Sequence, residues 1–402
     1  MRIGIITYYR VPNFGANLQA LSTYKYLQNN GHDPIMIQYM SHKQYHYSNT
    51  CDDKNIQKKA HLEFCDKYFH KQTNVCYSVE NVNSAIDEYQ IEALIIGSDA
   101  VLQHHPLFSR IKRGKRKPFY ILPCDNDRLF PSVFWGVGLK PEIKKSLMSV
   151  SSQGSKFSLF NPWLKYRMRK SLNGFSHITV RDEWTSQMVD SITGIKPDVT
   201  PDPVFAFNYN CRDIIPSEES IIKRFNIPSK YILISFSKQF LRMETLVELK
   251  RKMMQIGLAC VALPQPLGIN FRHPFDYEIP CPLNPLDWYS LIKYSHGYIG
   301  NNMHPIVVCL HNAVPCYSLD TWVNTNFNNI IIEDHSSKVE HILNTFGLQD
   351  NRCPVINGTC YINVDDLIKG IVNFNAVPVV QKSLQMYERY EKMMQEIISK
   401  FL

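Results

Sequence analysis

At 402 residues the chain is longer than one ordinary hydrophobic core supports, so two domains are the first expectation. Apolar residues at 44% against charged residues at 20% exclude a disordered chain, and no apolar run reaches the length of about eighteen residues that a membrane-crossing helix needs. A net charge of +8 and eleven scattered cysteines, odd in number and without a CxxC pair, argue against a disulfide framework or a zinc site and for a reducing, cytoplasmic setting.

The opening MRIGIITYYR reads as a first strand, RIGIIT (2–7), and not as a secretory leader. The loop YYRVPNFG follows, then a helix in which Leu18, Leu21, Tyr24 and Leu27 recur at helical spacing until Gly31 stops it. PIMIQYM, ALIIG (93–97), SLMSVSS (146–152) and HITVRD (177–182) are the next strands. Residues 103–145, rich in histidine, proline and cations, read as an excursion from that sheet. Strands separated by helices predict a mainly parallel sheet in an α/β domain over residues 1–207.

Residues 208–230 are polar, contain two prolines and read as a linker. Alternation then resumes over residues 231–380: YILISFS, GLACVALP, GYIG and VPCYSLD as strands, PLDWYSLIKYS and PIVVCLHN as helices, with NIIIED and KVEHILNTF continuing the pattern. Residues 381–402 form an amphipathic helix expected to pack back on the first domain. The fold class is therefore α/β, two Rossmann-like domains facing a cleft. In such sheets, ligands sit beyond the carboxyl ends of strands, where helix N-termini offer unpaired backbone donors.

Five loops fall at such places. In YYRVPNFGANLQA, Gly15 permits a turn with positive φ, Arg10 supplies a cation, and Asn13 and Asn17 supply amides that either hold an anion or cap the helix. Without GxGxxG, a nicotinamide dinucleotide is not favoured. In IIGSDAV, Ser98 and Asp99 either cap a helix or orient a sugar hydroxyl. In SVSSQGS, the small Ser152 and Gly154 permit close approach of a ligand or of a neighbouring backbone. HITVRDEWTSQM ends a strand on Arg181, whose planar guanidinium matches carboxylate or phosphate oxygens unless Asp182 neutralises it. PDPVF (201–205) reads as a rigid exit from the domain. In GNNMHPIVV, Pro305 suits a first helical position. His304 then either meets an anion or moves a proton there, or is a bonded loop residue behind the caps Asn301 and Asn302.

Two basic stretches complete the inventory: RIKRGKRK (110–117) with six cationic side chains, and WLKYRMRK (163–170), which mixes aromatic and cationic residues. They are either a solvated face or a contact with anionic substrates or with the inner face of a membrane. No nucleic-acid motif accompanies the charge.

Taken together, NFGANLQA, IIGSDAV, SVSSQGS, ITVRDEWTSQM with PDPVF, and GNNMHPIVV resemble, in order, the polysaccharide pyruvyl transferase family over residues 3 to about 320. The resemblance implies a glycosyltransferase-B-like fold with the site between two Rossmann-like halves. It implies phosphoenolpyruvate as co-substrate; the sequence shows no metal-binding cluster, and no other cofactor is expected. The implied acceptor is a lipid- or nucleotide-linked saccharide of a surface glycan, joined to the pyruvyl carbon as a cyclic ketal. Arg181 matches the family arginine that holds the donor, and His304 the histidine of an Arg-x-His motif. Asn302 stands where that motif has its arginine, and an amide cannot balance phosphate charge, which leaves Lys238 or Arg10 to compensate. Asp99 is assigned a hydroxyl proton. Two other readings stay open: a nucleotide-sugar glycosyltransferase, and a non-catalytic glycan-binding relative motivated by Asn302.

Overall fold

The structure is a computed structural model and describes residues 1–41, 56–112, 119–321, 324–325, 331–332, 337–356, 358 and 360–402. Most of the RIKRGKRK stretch and the flanks of NIIIED therefore lie outside the described residues.

Two six-stranded parallel sheets organise the chain. The first contains β1 (Arg2–Ile6), β2 (Asp33–Met36), β3 (Ala93–Asp99), β4 (Lys144–Val150), β5 (His177–Val180) and β6 (Asp198–Val199), in the order β2-β1-β3-β4-β5-β6. Parallel bridges of Met36 with Gln72 and of Tyr39 with Cys76 extend it beyond β2. The second contains β7 (Tyr231–Ser235), β8 (Ala259–Ala262), β9 (Tyr277–Glu278), β10 (Tyr298–Gly300), β11 (Cys316–Asp320) and β12 (Arg352–Pro354), in the order β9-β8-β7-β10-β11-β12. Strand order reverses between β1 and β3 in one sheet and between β7 and β10 in the other, the positions where doubly wound sheets open a crevice.

The apolar runs explain the pairing. Ile3, Ile5 and Ile6 of β1 register with Ala93, Ile95 and Ile96 of β3, and all six are inaccessible to solvent. Strands buried on both faces are the mark of a sheet covered by helices on each side. Sequence reading missed β12, because RCP is short and carries none of the β-branched enrichment that marks a strand.

Helix α1 (Phe14–Asn29) follows β1 and is capped by Asn13, whose Oδ1 accepts from the Ala16 N–H at 3.2 Å. The spacing predicted one apolar face, yet α1 is buried nearly all round. It lies between the halves: Phe14 stacks on Trp288 of the second half with centroids 5.1 Å apart, while Ser22 donates to the Pro203 carbonyl of its own half at 2.6 Å. α2 (Glu183–Thr193) follows β5, α3 (Met303–His311) follows β10, and α4 (Lys338–Thr345) follows β11. The terminal helix α5 (Ala376–Phe401) lies across the first sheet, where Lys144 donates to the Phe401 carbonyl at 2.8 Å, and its Ser383 reaches the His311 carbonyl at the end of α3.

Residues 208–230 are more ordered than a plain linker. They carry the helix Glu218–Phe225, capped by Ser217, with Ile221 in the core. One hydrophobic cluster runs from Ile3 and Leu18 through Val204 and Phe207 to Leu233, Val307 and Tyr390, so the two sheets share a core. The ten described cysteines are free thiols, and among the described residues no helix is long and apolar enough to cross a membrane.

Candidate active site

Loops at the carboxyl ends of β1, β3, β4, β5, β8 and β10, with Ser235 at the end of β7, enclose a cavity of about 370 Å³ between the sheets. Its wall includes Asn13 and Gly15 from the first loop, Asp99 after β3, Arg181 after β5, and Asn302 and His304 before α3.

Arg181 is buried at the strand end, and its Nη1 donates to Asp202 Oδ2 at 2.7 Å, while Nη2 stands 3.8 Å from Asp99 Oδ1. Burial opposes the guanidinium charge, but Asp202, Asp99 and Asp182 outweigh it and raise the pKa above the usual arginine value. The sequence left open whether Asp182 neutralises Arg181. Instead Asp182 caps α2 through the Thr185 N–H, and Asp202, from the supposed rigid exit PDPVF, takes Arg181. Asp202 Oδ1 also accepts from the Val204 N–H at 3.0 Å, so its carboxylate is fixed at both oxygens.

Asp99 is held at φ +83, a left-handed conformation that a non-glycine residue adopts only under constraint from its surroundings. Gly97 just before it supplies room: a Cβ there would meet the Met148 carbonyl oxygen at 2.5 Å. Burial disfavours the Asp99 charge, yet Arg181, His304 and Lys338 together hold its carboxyl below the usual range.

His304 comes from the other half and meets the same carboxylate, with Nε2 3.9 Å from Asp202 Oδ2. That nitrogen is buried and makes no hydrogen bond among the described residues. Burial lowers the imidazole pKa, and Asp202 and Asp99 only partly offset this. The ring packs directly on α1: a Cβ on Gly15 would lie 2.0 Å from His304 Cγ. Gly15 therefore serves close approach inside a helix, and not the positive φ expected of it. The α3 start is also displaced from expectation. Asn302 is the N-cap and Pro305 the third helical residue, which puts His304 inside the first turn.

Several expected contributors stand behind the wall. Arg10 pairs with Asp66 and Gln72, and Asn17 braces the loop by accepting from the Arg10 N–H and donating to the Val11 carbonyl. Ser98 donates to the Ser149 carbonyl, and Ser152 bonds Thr185. Gly154 occupies a left-handed turn beside the lining residue Gln153. Asn301 ties two strand ends together, accepting from the Ser237 N–H at 2.9 Å and donating to Ser237 Oγ at 3.0 Å. Lys238 lies exposed over the Phe240 ring and does not compensate for Asn302.

Two cations that the sequence did not reveal do line the cavity. Arg128 enters from the 103–145 excursion, and Lys338 opens α4. Burial, followed by the proximity of Arg181, pulls the Lys338 ammonium down to about 8, against the opposing pull of Asp99, Asp182 and Asp202. Asn302 donates to Gln265, so the amide at the motif position belongs to a neutral polar edge of the cavity. Among the described residues no group of three His, Cys, Asp or Glu side chains is arranged to hold a metal ion.

Two Rossmann-like sheets with an anion-suited cavity between them define a glycosyltransferase-B-like α/β protein. UDP-GlcNAc 2-epimerase from Neisseria meningitidis, bound to UDP-GlcNAc, superposes with a TM-score of 0.53 at 11% identity over 100% of both chains. The Methanocaldococcus jannaschii UDP-GlcNAc 2-epimerase gives 0.52 at 12% identity over 99% of this chain and 100% of that one. No curated protein matches the sequence. The polysaccharide pyruvyl transferase profile matches residues 13–322, and the chain belongs to that family of transferases. Lys338 lies beyond the matched span.

Proposed function

We propose that the protein transfers the pyruvyl group of phosphoenolpyruvate onto two hydroxyls of a saccharide, forming a cyclic ketal and releasing phosphate. The observation that carries this reading is the meeting of a guanidinium from one half and an imidazole from the other at a single oxygen, Asp202 Oδ2. A small, multiply charged anion is the kind of guest that the guanidinium holds, together with Lys338 and Arg128 on the same wall, with the imidazole placed to hand it a proton.

In the reaction, Arg181, Lys338 and Arg128 hold the carboxylate and phosphate of the donor. Donor charge beside His304 favours the imidazolium, and its proton goes to the methylene carbon. The adjacent carbon becomes electrophilic, and a sugar hydroxyl adds to it. Asp99, ionised because its cationic neighbours hold its pKa down, accepts the hydroxyl proton. The second hydroxyl displaces phosphate, which leaves with the remaining proton. One C–H and two C–O bonds form while the carbon–carbon π bond and the C–O bond to phosphate break, and the proton taken up by Asp99 replaces the one His304 gave, so the transfer balances without a redox partner.

The test is a thermal shift with phosphoenolpyruvate, followed by phosphate release across a panel of lipid- and nucleotide-linked glycans. At a hundredfold excess over Kd, donor binding should stabilise the protein by about 2.7 kcal/mol. His304→Gln should keep that shift in large part and lose phosphate release. A shift with a uridine-diphosphate sugar and none with phosphoenolpyruvate would move the reading to a nucleotide-sugar enzyme. Saccharide binding with neither donor would mark a non-catalytic relative.

A further inference from the structure

Among the described thiols, two pairs are close neighbours. Cys309 lies beside Cys316, but both are fully buried, which shields them from oxidants in solution. The other pair stands at the open edge of the second sheet. Cys353 is the middle residue of β12, the outermost strand, which pairs only with β11. Cys360 follows in the next segment, and its Sγ donates to Cys353 Sγ at 2.8 Å. Cys353 is half-buried, Cys360 is 8% exposed and Tyr361 beside it is 80% exposed, so the pair lies just under the surface.

The surroundings make these two thiols unequal. The hydrogen bond from Cys360, helped by the nearby Arg352, lowers the Cys353 pKa against the opposing effect of burial. The same hydrogen bond, followed by burial, raises that of Cys360. One sulfur is therefore the readier nucleophile, and the second is in contact with it and placed to resolve it. Both are also tied to other parts of the second half. Arg352, next to Cys353, donates to Asp320 at 2.7 Å and meets Glu340 of α4 at 3.3 Å. The Cys360 N–H donates to the Phe240 carbonyl at 3.4 Å.

We propose that Cys353 and Cys360 form a reversible disulfide, a clip on the edge of the second sheet that closes when peroxide rises. The Cys353 thiolate attacks one oxygen of hydrogen peroxide, the O–O bond breaks, and a sulfenic acid and hydroxide form. The Cys360 sulfur then displaces hydroxide from the sulfenic sulfur and the S–S bond forms. In sum the two thiols lose two electrons and two protons, and the peroxide takes them up as two waters. A dithiol reductant reopens the bond by exchange. This is not the disulfide framework that the scattered cysteines argue against: a single bond of this kind in a reducing compartment is transient and follows the redox state. Closing the loop restricts the unfolded chain and fastens β12, from which Arg352 reaches α4, so the oxidised protein should melt a few degrees above the reduced one.

The full chain is treated with a small excess of hydrogen peroxide or kept reduced, then blocked with iodoacetamide and digested with trypsin. The peptide from Cys353 to Lys369 carries both sulfurs and no other cysteine. After oxidation it should be lighter by two hydrogens and take up no blocking group. Dithiothreitol added to the folded protein should restore two blockable thiols. The parent should melt a few degrees higher when oxidised, and Cys353→Ser and Cys360→Ser should each lose that rise. Every protein is compared with its own reduced form, so any cost of the substitution itself cancels. Two blockable thiols after peroxide, a bond from either cysteine to a different one, or further oxidation of Cys353 without a bond would overturn the proposal. So would a bond that reopens only on unfolding, or one that leaves the melting temperature unchanged or lowers it.

Discussion

Arg181 holds the structure together as well as lining the cavity, and a substitution cannot separate the two roles. Arg181→Ala would strand the buried Asp202 carboxylate, and leave the partly buried Asp99 without its nearest cation. A loss of about 3–5 kcal/mol is expected, visible as a fall in melting temperature of several degrees. His304 separates more cleanly because its Nε2 makes no hydrogen bond among the described residues, so His304→Gln should lose turnover while melting almost normally. Gly15→Ala should behave as the reverse case: the new methyl would drive the imidazole out of place and reduce turnover without touching the ring's chemistry. Lys338 sets a pH dependence. Its ammonium is charged below about 8, so phosphoenolpyruvate affinity should be full on the acid side and decline as pH rises through that value. Titrating Kd across that range checks it, and Lys338→Met should flatten the profile.

The residues also show where sequence reading stops. Arg181, His304 and Asp99 follow apolar strand runs directly, and periodicity therefore locates them at the sheet's carboxyl edge. Asp202 hides in a proline-bounded turn, Arg128 ends a single helical turn inside the excursion, and Lys338 opens α4 beyond the short strand Ile331–Ile332. Their role comes from distant parts of the chain meeting across a cavity, which spacing along the sequence does not encode. Asn17, Ser98 and Ser152 illustrate the converse: polar residues at the right strand ends whose side chains satisfy neighbouring backbone or side-chain groups.

Among elements, α5 has the widest reach. Tyr390, Met393, Met394 and Ile397 are buried on one side of it, while Val380 and Leu384 are exposed. Ending the chain after Val380 would uncover the apolar surface under β4 and β5. The expected outcome is loss of cooperative unfolding for the whole protein, read by calorimetry, whereas Leu384→Ala should change stability by less than about 1 kcal/mol. The amphipathic spacing of α5 was legible in sequence. The near-complete burial of α1 was not, because Asn17, Gln19, Ser22 and Thr23 look like a wet face until their partners are known. Gln19 Nε2 donates to Thr7 Oγ1 and Ser22 to the Pro203 carbonyl, so these two donors enter the interior already paired.

For the molecule as a whole, buried histidines predict its acid limit. Burial lowers the His61 pKa to about 4, and burial together with Lys293 lowers that of His311 to about 3. Both groups are more easily protonated once unfolded, where the pKa is near 6.5, so the unfolded chain takes up protons first as pH falls. Stability should therefore decline below pH about 6.5, by about 1.4 kcal/mol per pH unit for each histidine. Urea midpoints at neutral and mildly acidic pH measure it, and His61→Gln should lessen the slope.

The continuous cluster from Ile3 through Phe207 to Tyr390 bears on how a guest gets in. Two lobes welded by common packing cannot swing apart like the jaws of a hinged binding protein without opening their own interior to water. Entry and exit must then be the work of rim segments alone, and the tempo of turnover would be set by local rearrangement at the lip of the crevice.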